Sequence, residues 1–218
     1  MSLGFDAPVP ATVADRDGQG TGFASVLPNA SGDQHQPAAL DLTSSTLRVT
    51  SGAGSNEGSS DTQVNALTTL VDASRSNTVA QARLLDPLAD LAAPGHRKGI
   101  WFGPGPDDHV STVVERRADG TYVTIRAEQA GVSQVIGELA LTGPVTTLDL
   151  VITADLVAGT VQGSVRVDGA EPATVVGTAF TPFDVMSWFS PQARSGILTS
   201  HGSAATGVVA VYDSFSAA

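Results

Sequence analysis

The sequence predicts an all-β fold, a two-sheet antiparallel sandwich, and three observations carry that expectation. Gly and Pro number 23 and 12 among 218 residues, and only 15% are charged; such a chain spends much of its length on turns. About a dozen short runs of Val, Ile, Leu and Thr are separated by turn signals at intervals of roughly eight to twelve residues, the spacing of a sandwich. The third observation is the stretch Gly99 to Gly131, which reads as three consecutive strands.

In that stretch Ile100-Trp101-Phe102 is followed by Gly103-Pro104-Gly105-Pro106-Asp107-Asp108, where glycines, prolines and short acids reverse the chain. From His109 the residues alternate, with Val110, Thr112 and Val114 on one side and Ser111, Val113 and Glu115 on the other. Ala118-Asp119-Gly120 closes a hairpin, because Asp-Gly tolerates the positive φ of such turns. Tyr122, Thr124, Arg126 and Glu128 then form a polar face, and Val123, Ile125 and Ala127 face a core.

Taken from the start, residues 1–37 form an irregular N-terminal segment packing on a single domain that spans 1–218. Leu40–Leu42 and Thr46–Thr50 are short strands; Gly52–Asp61, rich in Gly and Ser, is a loop. Gln63–Val71 and Thr78–Leu85 are strand-like, and Pro87–Ala93, bounded by Pro87 and Pro94, allows one helical turn. Beyond the meander, strands are expected over Val132–Leu141, around Leu148–Ile152, around Val161–Val167, at Thr174–Gly177, at Gly196–Ser200 and at Gly207–Phe215. Phe180, Phe183, Trp188 and Phe189 make an aromatic cluster that either caps the core or lines a site.

The net charge of −11 argues against nucleic acid, whose binding rests on Lys and Arg neutralising phosphates. Zero Cys removes disulfides, thiolate metal sites and a Cys nucleophile. No stretch has the length of a membrane span. Met1-Ser2-Leu3 reads as a leader ahead of a domain taken from a longer, secreted or cell-surface chain with neighbouring domains.

Three segments together resemble the concanavalin A-like (laminin G-like) jelly roll: G-I-W-F-G-P-G-P-D-D-H-V-S-T-V-V, L-D-L-V-I-T-A-D-L-V-A-G-T-V-Q-G-S-V-R-V-D-G, and G-I-L-T-S-H-G-S-A-A-T-G-V-V-A-V-Y-D-S-F. The resemblance covers roughly Leu40 to Phe215 and specifies architecture far better than ligand. It implies a structural Ca²⁺ where the termini meet, with Asp213 from the last strand and Asp15 and Asp17 from the N-terminal loop. An EF-hand is excluded, since Val26 stands where the bidentate Glu would be. A solvated turn at Asp15–Asp17 and a strand-end acid at Asp213 remain the alternatives, although Asp213 shares the strand parity of Val211 and Phe215 and so is expected to face apolar neighbours.

The E-x-D-x-(x)-E strand of laminarinase-type hydrolases on this fold is absent: Glu57, Glu115, Glu128, Glu138 and Glu171 are widely separated. Glu115 and Glu128 become neighbours only through sheet pairing, and as acids on strands they read as solvated surface groups. No G-x-S-x-G elbow occurs, and the four histidines lack paired ligand spacing. The expectation is therefore a non-catalytic extracellular module for carbohydrate recognition or adhesion. Its ligand set would be Trp101, Tyr122 and Trp188 as sugar-stacking platforms with Gln63, Asn65, Arg126 and His109 as polar partners. Trp101 is equally a core residue by position. The alternatives are a glycoside hydrolase-like enzyme on the same fold and a purely structural spacer.

Overall fold

The computed structural model describes residues 1–6, 21–28, 32, 35–43, 45–59 and 61–218. Its strands are β1 (Ser2–Leu3), β2 (Ser25–Val26), β3 (Leu40–Thr43), β4 (Thr46–Thr50), β5 (Leu67–Val71), β6 (Thr78–Leu85), β7 (Arg97–Gly105), β8 (Asp108–Arg116), β9 (Thr121–Gln129), β10 (Val132–Ala140), β11 (Thr147–Asp155), β12 (Thr160–Val167), β13 (Thr174–Val175), β14 (Ala193–Ser200) and β15 (Val209–Ala217). One helical turn, α1 (Val185–Trp188), precedes β14.

The strands form two antiparallel sheets, a concanavalin A-like sandwich. One runs β13-β12-β11-β6-β15-β4-β3, with β1 pairing to β15; the other runs β10-β9-β8-β7-β14-β5-β2. The meander read from Gly99 to Gly131 is the β7-β8-β9 part of the second sheet, and its alternation holds. Ile100, Phe102, Val110, Val114, Val123, Ile125 and Ala127 join the core between the sheets. Tyr212 pins the layers together: its hydroxyl reaches across to the second sheet, 2.9 Å from the Gly99 carbonyl and 2.8 Å from that of Leu198.

The aromatic segment caps this core. Trp188 is buried, its ring 5.5 Å from Phe180 and 6.4 Å from Phe102, whereas Phe183 is 93% exposed.

Three local expectations are corrected. The strand expected from Gln63 begins only at Leu67, because Asn65 takes a positive φ of 53° and its side chain is bound to the backbone of Gln36. Residues 87–93 form successive turns instead of a helical turn, and the Ala89 carbonyl is held by the buried Lys98 ammonium at 2.5 Å. Strand parity does not place Asp213 beside Phe215: the register slips between Tyr212 and Ser214, so Tyr212 and Phe215 both enter the core while Asp213 sits half-buried on the bulge. A bulge of this kind inserts one residue and reverses the alternation beyond it.

Candidate functional site

The outer face of the second sheet gathers most of the buried charge, and strand register explains how. Arg97 on β7 lies opposite Glu115 on β8, and Glu115 lies opposite Tyr122 on β9. Thr124, Arg126 and Glu128 continue along the same face of β9, with His109 opposite Glu128. Over this face lies the connection from β4 to β5.

Glu115 is nearly inaccessible, with a side chain 2% exposed, and three guanidinium groups surround it. Arg97 Nε lies 3.0 Å from Oε2, Arg126 Nη2 lies 3.1 Å from Oε2, and Arg117 Nε donates to Oε1. The Thr124 hydroxyl donates to Oε1 at 3.1 Å. Burial alone would raise this carboxyl, but Arg126, Arg117 and Arg97 together hold it below the usual glutamate range. From the overlying connection, Glu57 Oε1 meets Arg97 Nη1 at 2.7 Å and Arg126 Nη1 at 2.8 Å. Two arginines thus clamp two glutamates. On the outer side Arg117 pairs with Glu138 at 2.7 Å and lies 4.6 Å above the Tyr122 ring.

Farther along the same face, where Glu128 pairs opposite His109, the chemistry reverses. Glu128 is 1% exposed, its Oε2 accepts the Gly58 N–H at 3.1 Å, and its Oε1 has no hydrogen-bond partner among the described residues. Burial pushes this carboxyl up to about 8, with Asp61, Glu57 and Asp107 adding to the shift against the opposing Gly58 bond. Asp61 is likewise raised to about 6, by burial and then by Asp107. His109 is held neutral, since burial lowers it. Its Nδ1–H donates to the Pro106 carbonyl at 2.8 Å, which leaves Nε2 to accept from the Asn56 amide at 3.3 Å.

The residues expected as ligand contacts separate into groups. Arg126, Tyr122 and His109 lie on this face, the first locked between Glu57 and Glu115. Trp101 is also on it but is buried with Leu27, Ala66, Val113 and Leu198, its ring 6.3 Å from His109 across a cavity of ≈ 10 Å³. That volume holds one water at most. Gln63 and Asn65 are buried, with side chains bound to the Pro28 and Gln36 backbones. Trp188 belongs to the core on the other side of the sheet.

Asp15 and Asp17 lie outside the described residues, so the expected calcium site is represented there only by Asp213, whose charge acts on Arg83. Among the described residues no group of three or more His, Asp or Glu is arranged to hold a metal ion, and no helix is long and apolar enough to cross a membrane.

Sequence reasoning read Glu115 and Glu128 as surface acids and the Gly52–Asp61 stretch as a connection. The missed signal was Val113 and Trp101 sharing a strand face with Arg97, Glu115 and Arg126. Apolar residues on a charged face imply that something covers it.

No protein-family model matches this chain, and no curated protein matches it. Solved structures do share its fold. A bifunctional GH43-CE protein from Bacteroides eggerthii is 13% identical over all of this chain and 25% of its own, with a TM-score of 0.69. A xylan β-1,4-xylosidase from Bacillus halodurans is 16% identical over 99% of this chain and 38% of its own, with a TM-score of 0.61. A functionally unknown protein from Saccharomyces cerevisiae is 12% identical over 84% of this chain and 92% of its own, with a TM-score of 0.61.

The chain therefore spans only 25% and 38% of the length of these two glycoside hydrolases. At such identities the likeness is one of fold. It nevertheless corrects the expectation of a non-catalytic extracellular binding or adhesion module. The neighbours named for an activity are glycoside hydrolases, which favours the alternative of a glycoside hydrolase-like protein on this fold.

Proposed function

We propose that this chain is the β-sandwich part of a glycoside hydrolase acting on xylan-type polysaccharides. The observation that carries the reading is the match of 99% of the chain to one portion of a xylan β-1,4-xylosidase. The chemistry of the sheet face fits a part that needs the rest of an enzyme. Glycoside hydrolysis requires one carboxyl that holds a proton and one free carboxylate flanking the scissile bond, about 5 Å apart for retention and roughly 6.5–9.5 Å for inversion. Glu57 and Glu115 are committed to Arg97 and Arg126, so neither is free to attack or to accept a proton. The reacting pair would then come from elsewhere in the polypeptide.

One observation favours a second reading, in which the acid is on this chain. Glu128 holds its proton at neutral pH beside Asp61, the partition of roles expected of a general acid and its carboxylate partner.

Release of 4-nitrophenol from its β-xyloside and α-arabinofuranoside, by the full natural polypeptide and by residues 1–218 alone, tests both. The first reading expects turnover by the full polypeptide and none by residues 1–218. No hydrolysis by the full polypeptide overturns it. Turnover by residues 1–218 that disappears in Glu128→Gln establishes the second reading in its place.

A further inference from the structure

The β4–β5 connection is fastened over the sheet by contacts of different kinds. At its base Gly54 and Gly202 exchange backbone hydrogen bonds of 3.3 and 3.0 Å. Gly54 has a φ of +135°, and a Cβ there would lie 2.2 Å from the Thr62 carbonyl, so only glycine permits the two arms to lie this close. Farther out Glu57 pairs with Arg97 and Arg126, Asn56 bonds His109, and the Gly58 N–H bonds Glu128. Beneath these contacts lie Trp101 and its small cavity.

The arginine contacts keep their charges throughout the neutral range. The contact at Glu128 does not have that security. Its strand neighbours supply no free cation: His109 opposite on β8 is neutral, Ser133 opposite on β10 is uncharged, and Arg126 on β9 is occupied by Glu57 and Glu115. From the β7–β8 turn it faces Asp107, while Asp108 is bound to the Ala130 N–H. From the connection it faces Glu57 and Asp61, and Asp61 Oδ1 also lacks a partner among the described residues. A carboxylate buried among carboxylates requires a metal ion, a guanidinium or a proton. Among the described residues no guanidinium beside Glu128 is left unpaired and no group of acids is arranged to hold a metal ion, which leaves the proton.

We infer that the Asn56–Gly58 segment of the β4–β5 connection is a lid over Trp101, latched while Glu128 is protonated and released when Glu128 ionises. Ionisation places a negative charge, under cover, beside Glu57, Asp61 and Asp107. Lifting the Asn56–Gly58 segment admits water to that charge, breaks the Gly58 bond and opens the outer face at Trp101 and His109. The latch concerns access to the sheet face and does not depend on the chain's serving a hydrolase.

Hydrogen exchange of the Asn56, Glu57 and Gly58 amides, corrected for intrinsic rate, tests this between pH 6 and pH 9, with β11 amides as the internal standard. Protection of the lid is expected to fall at least tenfold, while β11 loses no more than the global stability that the molecule gives up over the same range. Glu128→Gln keeps an acceptor for the Gly58 N–H and cannot ionise, so its lid should stay protected at pH 9. Asp61→Asn removes one repelling charge and should shrink the drop. Constant wild-type protection across the range, or an equal drop in Glu128→Gln, overturns the inference. Should Glu128→Gln lose β11 protection through misfolding, the Asp61→Asn comparison decides: an undiminished drop there also overturns it.

Discussion

Glu115 and Glu128 stand on the same face of one sheet, are both almost wholly buried, and are neutralised in opposite ways. Around Glu115 the strands and the turn after β8 deliver Arg97, Arg117 and Arg126, with the lid's Glu57 bridging two of them, so the carboxylate stays charged and its pKa falls. Around Glu128 the same lid and the adjoining turn deliver Glu57, Asp61 and Asp107, so the carboxyl keeps its proton. Burial is common to both. The sign of the neighbours decides which form each holds, and hence whether the corner is a rigid clamp or a proton-sensitive one.

The comparison can be broken at its strong end first. Glu115→Gln keeps the shape of the side chain but leaves Arg97, Arg117 and Arg126 short of a counter-charge in a buried setting. Urea denaturation should show a loss of about 3 kcal/mol, since breaking a buried ion pair on one side typically costs about 3–5 kcal/mol. A loss under about 1 kcal/mol would mean that water already screens the clamp.

Glu128→Gln should act with the opposite sign. The carboxyl is raised from 4.5 to about 8, so the folded state binds more protons than the unfolded one between those limits. Its contribution is full below the unfolded value and is lost as pH rises through the folded one. The variant, free of that loss, should be more stable than wild type at pH 8–9 by about 1–2 kcal/mol, the lid's release relieving the remainder, and no more stable at pH 4. Equal denaturation midpoints at pH 9 would place water or an ion at Glu128. The smallest effect is expected at the rim of the clamp. Glu138 pairs with Arg117 from a side chain that is 52% exposed, and Glu138→Gln should change stability by less than about 0.5 kcal/mol, as exposed pairs do.

The fold was largely legible because its signals are local. Alternation along Val110–Val114 and Val123–Ala127 identified the core face, and Asp119-Gly120 with Pro104–Asp108 located the hairpins. The site was not, because its parts are brought together by register and by a loop. Arg97, Glu115 and Arg126 meet only once β7, β8 and β9 are aligned, and Glu57 arrives from a Gly-Ser stretch whose composition says nothing about where it lies. Aromatic residues misled for a related reason. Trp101 projects from β7 to lie beneath the lid, Trp188 packs from α1 into the core on the other side of that sheet, and residue type alone does not separate them.

The hydroxyl of Tyr212, held between two carbonyls of the opposite layer, gives the molecule an optical handle. The protein has two tyrosines. Burial raises the phenol of Tyr212, and its place in the interior keeps base from reaching it, while Tyr122 stands beside Arg117 nearer the surface. In an ultraviolet titration the first phenolate band therefore belongs to a protein that is still intact. The second appears only when the layers part, so that its absorbance reports their separation without any label.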